Sequence, residues 1–327
     1  MRILFLASGE FAVPTLRRLA HSEFEVPLVV TQPARPAGRG QKLVRTPVAE
    51  WAAGIGLEIL EVADINDPLV VNQLKTRGAD LGLVIAFGQK LGNPLLAALP
   101  GGFINLHASL LPKYRGAAPI NWAIVRGEEK TGCTVFRIVE KMDAGPILSS
   151  RWTYIKPEET AGELHDRLAG VGVDTVLAAL EQFSGEAIPA GTPQNDAEVT
   201  LAPKLKKTDG VIDWHKPAFD VVSLIHGMTP WPGATARYES KDGRWEQVTV
   251  VRAREAEDPT ILTNRSSGGG RPASGTIDGR LYVSTKDGSV ELLEIKPSSG
   301  RVMPWPDYVN GRHVSAGDRF AAIEDVT

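Results

Sequence analysis

Cysteine is nearly absent from this chain, which has one such residue, Cys133, among 327. A single cysteine excludes an internal disulfide and is typical of a reducing compartment, so we expect a cytoplasmic protein. Long apolar runs are absent too, since none approaches the ~20 residues that span a bilayer, and we expect no membrane partner. The apolar start at residues 1–6 is interrupted by Ser8 and Gly9. A first β-strand therefore explains this start better than a signal peptide does.

Several motifs of other protein classes are also missing. No Gly-x-Gly-x-x-Gly fingerprint follows a strand, and its nearest piece, Gly38-Arg39-Gly40, lies in a proline-rich segment, which weakens a dinucleotide site. No Gly-Lys-Ser/Thr phosphate loop occurs, and the six histidines lack metal-binding spacing, so we expect no metal. The formal net charge of −3 gives no overall attraction to nucleic acid, so such a partner requires a local basic patch.

Apolar strands alternate with helical patterns in the first half of the chain. Strand character occurs in residues 2–7, 26–31, 57–60, 80–86, 102–107, 132–139 and 147–155. Helical periodicity occurs in residues 11–20, 46–53, 68–76, 117–125 and 160–183. This alternation predicts an α/β fold with a doubly wound, mostly parallel, Rossmann-like sheet.

The hydrophobic pattern of the sequence changes near residue 204, where helical periodicity is lost. Short β-rich runs follow, separated by glycine and proline, at residues 247–253, 280–285 and 290–295. They predict a second, smaller β-barrel domain of the OB-like kind. We therefore predict a first domain over residues 1–188, a linker over 189–203 and the barrel over 204–327.

An amide and an imidazole close the apolar run at residues 102–107. Asn105 and His107 are two residues apart, so in a strand both side chains lie on one face. Open α/β sheets bind ligands at the carboxyl ends of their strands. An isolated histidine is more often a simple hydrogen-bonded residue, but the dense polar and turn-forming run through Gly116 favours a site. An amide beside an imidazole suits acyl transfer, in which an oxyanion develops while a proton moves.

Asp143 is the third candidate for this site. It lies before a Gly-Pro turn at Gly145 and Pro146, between two strand-like segments, where an aspartate is usually a turn former. Beside His107, its carboxylate would orient the ring and tune it for proton transfer. The sequence leaves open whether the two side chains meet.

Residues 32–45 contain four basic residues and no acidic one. We expect about fifteen residues without secondary structure here, which is long for a connection in a compact α/β domain and is commonly functional. A solvated surface loop is the competing interpretation. The cationic side chains that could contact phosphates are Arg35, Arg39, Lys42 and Arg45. A lysine cluster at the start of the second domain could extend this surface or be a solvated linker: Lys204, Lys206 and Lys207.

Taken together, these motifs resemble the methionyl-tRNA formyltransferase family over nearly the full length. The family signature Asn-x-His-x-Ser-x-Leu-Pro-[Lys/Arg]-x-Arg-Gly is matched at every fixed position by Asn105, His107, Ser109, Leu111, Pro112, Lys113, Arg115 and Gly116. Asp143 and Gly145 match its Asp-x-Gly element. Both elements also occur in other enzymes that use 10-formyltetrahydrofolate. Residues 31–40 and the second domain, with its Pro230-Trp231-Pro232 element, resemble the tRNA-binding parts of the family.

The resemblance implies formyl transfer from 10-formyltetrahydrofolate, as co-substrate, to the α-amino group of methionyl initiator tRNA. It assigns folate binding and catalysis to residues 1–188 and tRNA binding to residues 204–327. Asn105, His107 and Asp143 would be catalytic. The folate would bind beside Ser109, Leu110, Leu111 and Pro112 and against the backbone of Ala86, Phe87 and Gly88. One departure occurs after the first strand, where Ala7-Ser8-Gly9 replaces a Gly-Thr-Pro-like turn.

Three other functions compete with this one. A folate-dependent formyltransferase acting on a small amine, such as an amino sugar, leaves the basic segment and the β-rich domain without a role. A non-catalytic RNA-binding protein has no need for Asn105, His107 and Asp143 together. A nicotinamide-dependent oxidoreductase lacks its glycine fingerprint. We expect a monomer, because no conspicuous association element occurs.

Overall fold

The structure is a computed structural model that describes residues 1–38, 40–183, 189–257 and 272–323. It divides into two compact units. The first comprises Met1–Pro119, Lys130–Thr153 and His165–Ala202; the second comprises Ile120–Glu129, Tyr154–Leu164 and the described residues from Pro203 onwards. These units follow a different division from the domain boundaries expected from the sequence.

The strands and helices are as follows. The strands are β1 (Arg2–Ala7), β2 (Glu25–Thr31), β3 (Arg35–Ala37), β4 (Lys42–Val44), β5 (Ile59–Glu61), β6 (Leu81–Ile85), β7 (Phe103–His107), β8 (Arg115–Gly116), β9 (Lys130–Arg137), β10 (Ile147–Tyr154), β11 (Leu201–Ala202), β12 (Ala234–Glu239), β13 (Trp245–Glu255), β14 (Val283–Ser284), β15 (Ser289–Pro297), β16 (Met303–Pro304) and β17 (Arg319–Ala321). The α-helices are α1 (Val13–Ala20), α2 (Pro47–Gly54), α3 (Pro68–Lys75), α4 (Asn93–Leu96), α5 (Pro119–Val125), α6 (Ala161–Leu180), α7 (Ala218–Gly227) and α8 (Trp305–Arg312).

The main sheet of the first unit has seven strands in the order β10-β9-β7-β6-β1-β2-β5. The five from β7 to β5 pair in parallel, and β9 is antiparallel to β7. The predicted mostly parallel Rossmann-like sheet is therefore confirmed. All five residues of β6 are buried, as expected for a central strand covered on both faces. Gly82 lets β7 pack closely, since a Cβ there would lie 2.1 Å from the Phe103 ring.

Helix starts in this unit follow the sequence signals. Thr46 caps α2 by accepting a hydrogen bond from the Ala49 N–H, and Pro47 occupies the first turn. Asp67 caps α3 in the same way through the Leu69 N–H. These caps define where α2 and α3 begin.

The β-rich part of the second unit is one antiparallel sheet in the order β14-β15-β13-β12-β17, with β16 paired to β15. Its barrel-like form confirms the predicted second fold. Burial alternates strictly along β12, which places Tyr238 in an aromatic cluster with Trp305, Tyr308 and Phe320. Two helices, α7 and α8, were not expected after residue 204. Their apolar residues pack inward among the strands, which makes the helical period hard to separate from a strand pattern.

One expectation about local structure was wrong, and residues 189–203 contain a short strand. The basic segment is not without secondary structure, because β3 and β4 pair as a short antiparallel hairpin. The segment expected as a linker carries β11, whose parallel pairing with β8 ties it to the first unit. Across the described ranges, no helix combines the length and apolarity needed to cross a membrane.

Candidate active site

Ser8, the residue after β1, links neighbouring strand ends at the carboxyl edge of the main sheet. Its Oγ donates to the Phe87 carbonyl oxygen at 3.2 Å and accepts from the Gln32 N–H at 3.1 Å. The backbone N–H groups of Ser8 and Gly9 both donate to the Ala86 carbonyl oxygen. The altered turn Ala7-Ser8-Gly9 thus joins the ends of β1, β2 and β6.

Asn105 lies in β7 and is half-buried. Among the described residues, its side-chain amide has no hydrogen-bond partner. A polar group at the end of a strand normally finds a partner when it is shielded from water. The Asn105 amide is therefore available to donate to a ligand.

His107 ends β7 and is buried. Its Nε2 lies 2.8 Å from the carbonyl oxygen of Tyr114. Because a carbonyl can only accept, Nε2 carries the hydrogen, and the other ring nitrogen, Nδ1, faces Asp143. The Tyr114 carbonyl thereby fixes both the orientation and the tautomer of the neutral ring.

Asp143 lies near that second nitrogen. Its Oδ2 is 3.9 Å from His107 Nδ1, too far for a direct hydrogen bond and within range of a charge interaction. The same oxygen accepts a hydrogen bond of 2.9 Å from the Gly116 N–H. The structure therefore brings the imidazole and the carboxylate of the sequence motifs together at the end of β7.

The folate candidates between Ser109 and Pro112 divide into two pairs. Ser109 is fully buried and its hydroxyl donates to the Lys113 carbonyl oxygen at 2.7 Å, while Leu111 is also buried and its N–H donates to Thr134. Leu110 and Pro112 are half-exposed. The first pair shapes the loop, and the second pair is accessible to a ligand.

Residues 86–88 form the turn after β6. Ala86 and Gly88 have φ angles of 45° and 81°, and the Phe87 ring is buried in the apolar core. The carbonyl oxygens of Ala86 and Phe87 each accept two protein hydrogen bonds. A ligand on this backbone would therefore use the remaining groups, such as the Gly88 carbonyl.

The basic candidates of the first unit differ in how they are held. Arg35 hydrogen-bonds the Gln32 side chain, and Arg45 forms a 3.1 Å ion pair with Glu61. Lys42 is exposed on β4 and has no ion-pair partner among the residues that the structure describes. Arg39 lies outside the described residues. Within the described part of the hairpin, Arg35 and Lys42 therefore both lack an ion-pair partner.

The three lysines of the other basic cluster belong to the second unit. Lys204 and Lys206 are exposed, and Lys207 begins a 3-10 helix, Lys207–Gly210. Nothing in that unit pairs these charges among the described residues. Within the described ranges, no group of three potential metal ligands comes together.

Several residues of the site were missed by sequence reasoning. The Tyr114 carbonyl and the Gly116 N–H act through the backbone, which no residue pattern reveals. Thr134 lies on β9, where its hydroxyl donates to the Ser109 carbonyl oxygen at 2.7 Å. Gln194 lies in the segment expected as a linker. A positional signal existed only for Gly116, which closes the motif.

An α/β unit with an amide, an imidazole and a carboxylate at one strand end defines a candidate group-transfer enzyme. Two family models match this chain: "Formyl transferase" over residues 1–180 and "Formyl transferase, C-terminal domain" over residues 204–313. The chain belongs to the formyl transferase family. The family predicted from the motifs is thereby confirmed.

Relatives of similar length carry a more specific name. The methionyl-tRNA formyltransferase of Heliobacterium modesticaldum is 39% identical over 98% of this chain and 100% of its own. That of Solibacter usitatus is 38% identical over 98% of both chains. These alignments include both units of the structure.

Solved structures share the fold at lower identity. HypX from Aquifex aeolicus, in complex with tetrahydrofolic acid, matches with a TM-score of 0.58 and 20% identity over 94% of this chain and 47% of its own. This chain thus spans about half of HypX. The sugar 3N-formyl transferase WlaRD matches with a TM-score of 0.59 and 14% identity over 92% of this chain and 99% of its own.

Proposed function

We propose that this chain transfers the formyl group of 10-formyltetrahydrofolate to the α-amino group of methionine on initiator tRNA. The observation that carries the proposal is the 3.9 Å approach of the Asp143 carboxylate to His107 at the end of β7, the strand that also holds Asn105, in a chain that belongs to the formyl transferase family. The shared name of relatives that match over nearly the full length supports tRNA as the acceptor.

The chemistry follows from the three side chains. The neutral amine attacks the formyl carbon, and a tetrahedral intermediate with an oxyanion forms. The Asn105 amide, which no described protein group engages, donates to that oxygen. His107 adds a second donor through Nδ1 when it is protonated, because Nε2 is already bonded to the Tyr114 carbonyl.

Asp143 is the proton acceptor in this mechanism. Its carboxylate accepts the proton lost by the amine, acting through a water molecule, and lies 3.9 Å from the His107 ring. The bond between the formyl carbon and N10 of the folate then breaks, and the proton passes to that nitrogen. Atoms and charge balance without a metal or an oxidant.

Folate binding is assigned to the loop Ser109–Pro112 and the turn at residues 86–88. Leu110 and Pro112 are half-exposed and offer an apolar edge, while free backbone groups of the turn can recognise the polar rim of a pterin. Contact with tRNA is assigned to Arg35, Arg39, Lys42 and Arg45 and to the lysines at 204, 206 and 207. Among the described hairpin cations, the Lys42 side chain makes no hydrogen bond or ion pair in the described structure, whereas Arg35 bonds the Gln32 side chain and Arg45 pairs with Glu61.

The experiment is an acceptor comparison with the intact chain. The protein is mixed with 10-formyltetrahydrofolate and with methionylated initiator tRNA, methionylated elongator tRNA or a free amino sugar. We expect N-formylmethionine on the initiator tRNA and much less product with the other two acceptors. Preferred formylation of the amino sugar would replace this proposal with the small-amine alternative.

A further inference from the structure

The backbone of the Asp143 loop adopts a conformation that needs support. Asp143 has a φ angle of 51°, in the left-handed region that non-glycine residues rarely occupy. Two residues later, a Cβ on Gly145 would lie 1.7 Å from the Arg137 carbonyl oxygen, so the loop is pressed against the end of β9 on that side. The Asp143 carboxylate can act only where it lies beside the Gly116 N–H and the His107 ring. Something must hold the loop from the other side.

Gln194 provides that hold. Its side-chain NH₂ donates to the carbonyl oxygens of both Asp143 and Gly145, each at 2.8 Å. One amide group therefore ties together the two ends of the Asp-x-Gly element. A pair of hydrogen bonds from one planar group restricts both position and rotation of the loop.

The other end of Gln194 is itself fixed. Its Oε1 accepts two hydrogen bonds from Arg115, at 3.0 Å from Nε and 2.7 Å from Nη2. The Arg115 side chain is only 5% exposed, and Asp196 accepts from the same Nη2 at 3.1 Å. Arg115 therefore defines which end of the Gln194 amide faces the Asp143 loop.

Arg115 also connects this clamp to the reaction centre through the chain. It lies between Tyr114, whose carbonyl orients His107, and Gly116, whose N–H binds the Asp143 carboxylate. Pairing of β8 with β11 anchors the three residues, with Arg115 N–H donating to the Thr200 carbonyl oxygen at 2.9 Å. The segment that holds His107 and the segment that holds Asp143 thus share one support.

We infer that Gln194 is a positioning residue that sets the Asp143 carboxylate for proton transfer. This inference rests on the proposed function for its consequence in turnover, and on the contacts alone for its structural part. The chemistry requires an amide at this position, because it must accept from Arg115 and donate to two carbonyl oxygens. A carboxylate could do only the first.

The test is the pair Gln194→Glu and Gln182→Glu. Gln182 is a matched control in the same unit, since its NH₂ also donates to two carbonyl oxygens, those of Leu148 at 2.7 Å and Ala178 at 3.3 Å, and touches no part of the Asp143 loop. In Gln194→Glu we expect kcat to fall by about 10- to 100-fold, since a small misplacement of a reacting group has that effect. The KM values for folate and tRNA should stay near those of the parent, and Gln182→Glu should keep its kcat.

A second measurement does not depend on activity. The Gly116 N–H is held by the Asp143 carboxylate, whereas the neighbouring Ala117 N–H is held by the Ala202 carbonyl at 2.8 Å. In Gln194→Glu, hydrogen exchange should accelerate at Gly116 and remain slow at Ala117. The control Gln182→Glu should change neither.

The outcomes separate the inference from the proposed function. Parent-like exchange at Gly116, or equal acceleration at Gly116 and Ala117, overturns the clamp, because it shows no hold or a general loosening of β8. Selective acceleration at Gly116 with unchanged kcat shows that the clamp does not serve catalysis. If the parent forms no formylmethionyl-tRNA, the proposed function fails while the exchange result still decides the structural claim.

Discussion

Asn105 and Asn66 carry the same side chain and use it differently. The Asn66 amide donates to the Lys90 carbonyl oxygen at 2.9 Å and its oxygen accepts from the Gly92 N–H at 2.7 Å. The Asn105 amide has no partner within the described structure. One asparagine therefore supports the fold, and the other has an amide without a partner in the described structure, which suits the oxyanion donor that we propose.

This contrast gives the first prediction. Asn105→Ala should lower turnover by about 10²–10³, the usual effect of losing one oxyanion donor, with little change in the free energy of unfolding. Asn66→Ala should instead lower the free energy of unfolding by about 1 kcal/mol and keep turnover. Urea titrations and initial rates on both variants make the comparison. Equal turnover in the two variants would remove Asn105 from the reaction centre.

His226 on α7 is buried, and we expect it to make the stability of the protein depend on pH. Burial, and then the nearby Arg252 guanidinium, lower the pKa of His226 from 6.5 to about 4, and the nearby Glu163 carboxylate opposes this shift with a smaller effect. Between pH 6.5 and 4 the unfolded chain therefore binds a proton that the folded chain does not. The free energy of unfolding should fall as the pH falls through this window, by up to about 3 kcal/mol.

His226→Gln should flatten that part of the pH dependence. The exposed His215 serves as the control, because His215→Gln removes a histidine that is 82% exposed and should leave the slope as in the parent. Unfolding titrations from pH 7 to pH 4 on the three proteins measure the difference. The same acid slope in His226→Gln as in the parent would contradict the assignment.

We expect the hairpin formed by β3 and β4 to contact a phosphate of the tRNA. Lys42 is exposed there, so its loss should remove one phosphate contact. Lys42→Gln should weaken binding of tRNA and reduce the slope of log K against log salt by about 1. Lys75→Gln is the matched control, since Lys75 is an exposed lysine at the end of α3 in the same unit. A parent-like salt slope in Lys42→Gln would exclude the hairpin as a phosphate-binding element.

Some of the strands could be predicted from the sequence, and others could not. The period-2 rule placed Asn105 and His107 on one face of β7, and the buried run of β6 was recognisable from its continuous apolar composition. The hairpin of β3 and β4 escaped, because each strand has three residues and no apolar face to impose a period. Pairing between β8 and β11 escaped as well, because two-residue strands far apart in sequence leave no pattern.

Some residues of the candidate site could be predicted from the sequence, and others could not. Asn105, His107 and Asp143 stand in recognisable motifs, so their residue types could be identified before any geometry was known. Their supports act through the Tyr114 carbonyl, the Gly116 N–H and an amide at Gln194 in a polar segment. Backbone groups look alike in every sequence, and a lone glutamine gives no signal until its partners are known.

The two units have different roles under the proposed function. The first unit contains every side chain assigned to chemistry. The C-terminal family model and the relatives also cover the β-rich part of the second unit. A formyl transfer to a small amine would leave the β-rich unit without an assigned role. The assignment of tRNA as the acceptor therefore depends on the full chain, whereas the chemistry depends on the end of β7.

The most direct test of that chemistry is a single-turnover measurement on Asp143→Asn, with both substrates saturating. The isosteric amide keeps the shape of the loop and cannot accept the proton, so the rate of formyl transfer to methionyl initiator tRNA should fall by about 10²-fold or more. Asp67→Asn, which keeps a capping residue on α3, should transfer at the parent rate. A rate for Asp143→Asn close to that of Asp67→Asn would contradict the account.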